Sequence, residues 1–454
     1  MRVLHAIHDF LPRHRAGSEI YALHLCRQLA DRHDISVVCA DYDPGRRHGH
    51  VTWRLYDGLP VIEITNNWRC ESFRETYQSP VLADRLEHVL RAVQPDVVHV
   101  HNLLNLSFEL PSMARRHGAK VVATLHDYTL FCPSGGQRVH VADEHVCHTI
   151  DPQRCARCFR ESAFGAQIAI GRLAADTAMR PAFGAAARLA RRFPSAAGRL
   201  ADGLKRLPAM SLSAQDIEER MSAARSTLDQ IDVVVAPSAS LASEFTRLGV
   251  NPAKIRTMDY GFVPLVRVGA RTPAPARLRI GYVGTLVWHK GVHVLVDAVR
   301  QLPSSSYELR IFGDPDVFPR YVADLRRRAE GLPVRFMGRF EERDLSGVYQ
   351  QFDVLVVPSL WLENSPLVIH EAFMAGVPVV GAKIGGIPDL IEDGRTGLLY
   401  DPADAGALSA ALRSLVDMPR RLEDLSVGVQ MRTRVRSIEE DADSWDALYE
   451  QVLT

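Results

Sequence analysis

Short apolar runs recur along this chain, separated by longer stretches whose apolar residues return at helical spacing. That alternation argues for βα units and parallel sheets. In the first half the predicted strands are Arg2–Ile7, Ile35–Ala40, Val97–His101, Val121–Leu125 and Val233–Pro237. In the second half they are Leu278–Val283, Glu308–Phe312, Val334–Met337, Val354–Pro358, Val377–Gly381 and Gly397–Leu399. Between the halves, Val263–Ala276 carries Pro264, Pro273 and Pro275 with almost no periodicity, the composition of a linker. The expected division is a first domain over 1–262, a linker over 263–277, a second domain over 278–433 and a final helix over 434–454. In that last segment Trp445, Leu448, Tyr449 and Val452 fall on one helical face. Two doubly wound α/β domains facing across a cleft would hold ligand at the carboxyl ends of their strands.

Composition narrows the function classes. A length of 454 residues suggests roughly two to three domains. Lys plus Arg (54) equals Asp plus Glu (54), so no global field draws the chain to nucleic acid. No apolar run approaches the roughly 20 residues that span a bilayer, and the amino terminus reads as a core strand rather than a secretion signal. The expected location is cytoplasmic.

Two local features stand apart. The stretch 160–228 reads as a helical insertion, and between Arg160 and Arg206 it holds nine basic and three acidic residues. Such a surface suits peripheral contact with the inner face of an anionic membrane, or with an acidic acceptor; an Arg-covered solvated hairpin is the plain alternative. The second feature is the Cys-rich loop 130–160. All seven cysteines lie in the first 158 residues, and Cys132, Cys147, Cys155 and Cys158 crowd into it. The Cys155-Ala-Arg-Cys158 spacing fits a structural zinc completed by Cys132 and Cys147, with His140, His145 and His148 as substitute ligands and free thiols as the alternative.

The most informative segment runs from Ser359 to Val380 and reads strand, loop, helix, strand. Ser365 suits an N-cap and Pro366 the first helical position. Glu363 then sits in the loop before a helix, and Glu371 one to two turns inside it. Helix amino termini attract anions such as a diphosphate. Glu363-(seven residues)-Glu371 with Ala372-Phe-Met-Ala-Gly-Val-Pro-Val-Val380 and Gly385-Gly386-Ile-Pro388 resembles the donor-site motif of retaining family 4 glycosyltransferases with the GT-B fold. Gly281-Tyr-Val-Gly-Thr-Leu-Val-Trp-His-Lys-Gly291 is similar to that family's Gly-Arg-Leu…Lys-Gly motif, with Thr285 in the place of the arginine. Pro12-Arg-His-Arg-Ala-Gly-Ser-Glu19 resembles its Gly-Gly-x-Glu loop, with Ala16 at the first glycine.

The resemblance implies two Rossmann-like domains, with the last helix crossing back onto the first. It implies transfer of a sugar from a nucleoside diphosphate sugar to a saccharide or lipid-linked acceptor, in bacterial polysaccharide or glycolipid synthesis. Catalytic roles fall on Glu363, His126 and Lys290, without a catalytic cofactor. Donor contacts fall on Gly17, Thr285, Lys290, Glu371 and the helix start at Asn364, Ser365, Pro366 and Leu367, whose amides would meet the phosphates. His101, Asn102 and Asp127 fall on the acceptor side. Arg13 and Arg15 are candidates for the missing cation. Asp41-Tyr-Asp43 and Asp314-Pro-Asp316 match a metal-binding pattern of another glycosyltransferase fold, but such short patterns recur by chance. Rival readings are a nucleotide-sugar epimerase or phosphorylase on a similar frame, and an inactive nucleotide-sugar-binding scaffold.

Overall fold

A computed structural model describes residues 1–140, 142–173, 211–265 and 277–454. The chain forms two compact units: Met1–Pro237 with Ala242–Gly261 and Ile438–Thr454, and Ser238–Leu241 with Phe262–Ser437. Most of the predicted linker, and the middle of the basic insertion, lie outside the described residues. Among the described residues, no helix is long and apolar enough to cross a membrane.

The first unit is built on β1 (Arg2–Ile7), β2 (Asp34–Asp41), β3 (Val51–Tyr56), β4 (Leu59–Thr65), β5 (Val97–Val100) and β6 (Lys120–Thr124), then a small hairpin of β7 (Val139–His140) and β8 (His145–Val146), then β9 (Val233–Ala236) and β10 (Ile255–Thr257). Its main sheet runs β10-β9-β6-β5-β1-β2-β4-β3, parallel except where β3 meets β4. β1, β2, β5 and β6 are buried along nearly their whole length, which explains their near-continuous apolar sequence. The pair β3 and β4 was not predicted. Its turn is Asp57-Gly58, both at positive φ (54° and 81°), the type I′ signature of a two-residue hairpin.

The last helix, Ile438–Leu453, packs on helix Gly17–Leu29 of the first unit. Trp445 and Tyr449 are fully buried, Leu448 is buried and Val452 half-buried. The Trp445 indole N–H donates to Tyr21 Oη at 3.0 Å, and Tyr21 donates to Asp441 at 2.8 Å. The boundary before this helix falls at Ser437, four residues beyond the predicted 433.

The second unit carries β11 (Leu278–Val283), β12 (Tyr307–Phe312), β13 (Val334–Gly338), β14 (Val354–Val357), β15 (Val379–Ala382) and β16 (Gly397–Tyr400). Their order is β13-β12-β11-β14-β15-β16, all parallel. The order reverses at β11, so the loops after β11 and β14 leave neighbouring strands at the same end, where doubly wound sheets bind ligands.

Candidate functional site

In the second unit, the loops that leave β11 and β14 meet. Lys290 ends a short 3-10 turn, Trp288–Lys290, and its Nζ lies 2.7 Å from Glu363 Oε1 in the loop after β14. The ammonium also sits 5.0 Å above the Trp361 ring, and Ser359 Oγ donates to the same carboxylate oxygen. Glu363 is only 4% exposed. Burying a carboxylate demands such a cation and hydrogen-bond donor. Lys290, expected on a diphosphate, therefore rests on Glu363 in this state.

Glycines make the approach possible. A Cβ on Gly291 (φ +71°) would lie 1.8 Å from the Pro358 carbonyl oxygen. One on Gly386 would lie 1.8 Å from the Asn364 carbonyl oxygen, and the Gly386 N–H donates to the Glu363 carbonyl at 2.7 Å. The glycines of both motifs thus clamp the loop that carries Glu363.

The helix after that loop is Leu367–Met374, with Pro366 rather than Ser365 as its N-cap. Ser365 is buried, and its Oγ lies 2.9 Å from His370 Nε2. Pro366 carries no N–H, so it shapes the turn and donates nothing to an anion, which corrects its assignment as an amide donor. Glu371 lies one turn inside and accepts from the buried Tyr349 hydroxyl at 2.7 Å. Burial, then the Glu371 carboxylate, hold the Tyr349 phenol well above its usual range. Thr285 is exposed, with its carbonyl accepting from Tyr282 Oη at 2.9 Å.

In the first unit, Gly17 opens the helix Gly17–Leu29 just after the β1 loop. Glu19, fully buried, reaches back to accept from the Ala16 N–H at 3.1 Å. His8 Nε2 and His14 Nδ1 lie 3.1 and 3.3 Å from its carboxylate. Burial alone would raise the Glu19 carboxyl, but the His14 hydrogen bond and the charges of His8 and His14 bring it down to about 2. Arg13 is committed to Asp41 and Glu63, which corrects its candidacy as the missing phosphate cation; Arg15 is exposed.

His126 and His101 belong to a hydrogen-bonded row. His5 Nδ1 meets His101 Nε2, His101 Nδ1 meets His126 Nε2, and His126 Nδ1 meets Tyr260 Oη, each at 3.0 Å. If His5 donates first, each ring passes its N–H along and Tyr260 turns its O–H toward the Leu125 carbonyl at 3.5 Å. His5 Nε2, buried and unpartnered, is then a bare acceptor. The opposite direction would strand a buried N–H there, the rarer kind of orphan. Both His126 nitrogens are thus committed, to His101 and Tyr260. His99 stacks on His101 with ring centroids 4.2 Å apart and bonds Tyr449 and Thr124. Burial drives all four histidines toward the neutral form, His5 and His126 down to about 3.

Asn102 Nδ2 donates to Asp127 Oδ2 at 3.0 Å, and Thr129 donates to Asp127 Oδ1 from its amide (2.7 Å) and its hydroxyl (2.6 Å). Burial raises the Asp127 carboxyl against the pull of those bonds. Gly136 (φ +79°) packs over this pair: a Cβ there would lie 2.6 Å from Thr129 Cγ2 and 2.9 Å from Asp127 Cγ.

Cys132, Cys147, Cys155 and Cys158 line one cavity of about 20 Å³ in the first unit. The proposed substitutes do not line it. His140 is held by Asp143 and Glu161, and His145 Nε2 lies 2.5 Å from Arg154. Three of the four carboxylates in the two acidic pairs are engaged by arginine: Asp41 by Arg13 and Arg46, Asp43 by Arg46, and Asp314 by Arg339.

The family model described as Glycosyltransferase Family 4 matches residues 15–153, and that described as Glycosyl transferases group 1 matches residues 277–418. The chain belongs to the family 4 glycosyltransferases. It is 30% identical over 199 residues to the sulfoquinovosyl transferase SQD2 of Arabidopsis thaliana, covering 41% of this chain and 38% of that one. It is 32% identical over 193 residues to the glycogen synthase of Mycobacterium tuberculosis, covering 41% and 46%. The chain therefore spans less than half the length of these curated relatives. HepE from Anabaena, solved with UDP and glucose, superposes with a TM-score of 0.61 at 15% identity over 99% of each chain. The fold is that of the GT-B glycosyltransferases.

Sequence reasoning within this family 4 member missed the residues that hold the named ones. Ser359, Trp361 and Tyr349 serve Glu363, Lys290 and Glu371; His5 serves His101 and Tyr260 serves His126. Ser359 and Trp361 stood in the quoted motif. No local signal marked Tyr349, His5 or Tyr260.

Proposed function

We propose that the chain is a retaining glycosyltransferase that moves a sugar from a nucleoside diphosphate sugar to an acceptor hydroxyl. One observation carries the reading: Lys290, Glu363 and the start of helix Leu367–Met374 converge where β11 and β14 end, with Glu371 one turn on. Transfer breaks the bond from the anomeric carbon to a phosphate oxygen, and negative charge grows on the departing diphosphate. Lys290 and the helix-start amides oppose that charge. Drawing Lys290 onto the diphosphate frees a Glu363 oxygen to accept from the sugar's hydroxyls. Glu363, buried and held on two sides, suits a positioning role better than that of a covalent nucleophile. The departing phosphate then takes the acceptor's proton as the acceptor oxygen bonds the anomeric carbon on the same face.

Glu371, oriented by Tyr349, is assigned to the ribose. Gly17, Thr285, Asn364, Ser365 and Leu367 are assigned to the donor, with Pro366 as the turn that aims them. His126 is assigned as a neutral sugar contact through its ring edge, and His101, Asn102 and Asp127 to the acceptor side. A saccharide or lipid-linked acceptor in bacterial polysaccharide or glycolipid assembly, at the inner membrane face, is the matching setting.

The HepE complex makes UDP the first nucleotide to try. A thermal-shift screen of UDP, GDP, ADP and their sugar conjugates identifies the donor, since bound ligand raises apparent stability by mass action. Proton NMR of the first product then reads the anomeric configuration. An inverted product would overturn retention, and tight binding with no turnover would favour an inactive scaffold.

A further inference from the structure

We infer that Cys132, Cys147, Cys155 and Cys158 form a tetrathiolate site for one structural zinc ion. The inference is independent of the transferase reading.

Three separate segments bring the thiols together. Cys132 follows β6, Cys147 follows β8, and Cys155 and Cys158 lie three apart on one face of the helix Pro152–Glu161. Asp151 caps that helix by accepting from the Gln153 and Arg154 amides. The four side chains surround a space of about 20 Å³, room for one water- or ion-sized occupant. The other three cysteines differ in kind: Cys26, Cys39 and Cys70 are buried in the core, as small hydrophobes.

No three of these sulfurs lie within 4.8 Å of one another, so a metal would have to draw them in. The tightest groups of ligand atoms among the described residues are His5 with His99 and His101, His8 with His14 and Glu19, and His140 with Asp143 and Glu161. Each of those groups is already engaged in hydrogen bonds, ring stacking or ion pairs. Zinc at about 2.3 Å from each sulfur would draw the thiols to about 3.8 Å apart.

Charge supplies a second, independent argument. Binding releases four thiol protons and leaves a site of net charge about −2. Arg220 is a buried guanidinium, 4% exposed, whose partners are the Thr129 and Leu130 carbonyls and the faces of Phe108 and Tyr77. No carboxylate pairs with it among the described residues, and buried charges are ordinarily paired. Burial lowers it to about 10, and the groups that pull it back are Cys132, Tyr77 and Cys155. Arg138 and Arg154 line the cavity itself. Arg138 is already paired with Glu244, whereas Arg220 has no carboxylate among the described residues; a zinc tetrathiolate would supply its counter-charge.

The site would brace a loop whose regular structure is the β7–β8 hairpin and the helix Pro152–Glu161. That loop lies on the Asp127–Thr129 pair through Gly136, whose carbonyl accepts from the Tyr128 amide at 2.9 Å. Zinc would therefore hold Asp127 in place without touching a reacting atom.

The test uses the full chain, purified under reducing conditions without added metal. Elemental analysis should find about one zinc per chain, and native thiol alkylation read by mass spectrometry should spare these four cysteines until a strong chelator is added. Chelation should lower Tm, and zinc should restore it. The double variant Cys155→Ser/Cys158→Ser should lose the metal. Should that variant fail to fold, cobalt substitution in the unaltered chain should give the intense absorption of tetrahedral thiolate coordination. Substoichiometric zinc with no protection of these thiols on zinc addition would overturn the inference. So would iron with sulfide-cluster absorption, a disulfide among the four, or full zinc in a folded double variant.

Discussion

Lys290 and Glu363, 73 residues apart in sequence, meet at 2.7 Å beneath an indole ring and beside a serine hydroxyl. The pair ties the two loops of the proposed donor site together before any donor arrives. It also keeps each charge occupied, so that a diphosphate must compete with Glu363 for the ammonium.

Separate roles for the two residues make distinct predictions. Lys290→Ala should raise the nucleotide Kd and lower kcat/KM by about a hundredfold, the scale of one lost oxyanion donor. Glu363→Gln should lower kcat by a similar factor with little change in nucleotide Kd. The double variant should lose less than the product of the single losses, since contacting residues couple. Calorimetric titration with the donor's nucleoside diphosphate and initial rates check all three. Activity within twofold of the parent in either single variant would remove the pair from the site.

Glu371 and Tyr349 form a second contact, with the carboxylate accepting at 2.7 Å. Glu371→Ala should weaken nucleotide binding about tenfold, or roughly 1.4 kcal/mol, while Tyr349→Phe should weaken it by a smaller factor. Both effects should vanish for a 2′,3′-dideoxy nucleotide, which offers no ribose hydroxyl. An undiminished effect with that analogue would assign Glu371 to something other than the ribose.

Local pattern carried the fold a long way. β1 and β11 run over the residues their sequences mark, Arg2–Ile7 and Leu278–Val283, because a strand buried on both faces advertises itself by uninterrupted apolar residues. β3 escaped because it is an edge strand with alternating exposure, although its Asp57-Gly58 turn was in plain view. The glutamates and lysine of the proposed donor site were singled out by motif spacing. Their mutual contact was not, because it depends on how two loops leave adjacent strands. The histidine row was still less legible: His5 and His99 face one another across paired strands, a register that no local window contains.

The glycines of the clamp separate backbone fit from general stability. Gly386→Ala should dislodge the Glu363–Asn364 backbone and cut activity at least tenfold, since its Cβ would fall 1.8 Å from a carbonyl oxygen. Gly331 is the converse case: its backbone is left-handed, φ +76°, where that of Gly386 is not (φ −80°), but space is open around its Cβ. Gly331→Ala should cost about 1 kcal/mol of stability from the left-handed backbone alone and leave kcat/KM unchanged. Rates beside urea midpoints for the two variants check this. Equal activity losses would show that the effect is not local to the clamp.

The histidine row should make the first unit acid-sensitive near neutrality. His5 and His126 are held down to about 3 by burial, reinforced by His33 for His5 and opposed by Glu19 for His126. His99 and His101 are also lowered. Below about pH 6.5 the unfolded chain binds protons that these buried rings refuse, so stability falls as pH drops from about 6.5 toward 3, by about 1.4 kcal/mol per pH unit for each ring. Glu19, lowered to about 2, adds its own loss only below about pH 4.5. His14 is raised by Glu19, the opposite sign: its contribution is present below about pH 6.5 and fades as pH rises through its folded value. At 48% side-chain exposure that contribution is screened and small. Urea unfolding at intervals between pH 7.5 and 5 should therefore show a steep loss, and His5→Gln should flatten it by about one proton's worth. A flat stability profile over that range would mean that the buried rings accept protons, and that the row is not neutral as its hydrogen bonds require.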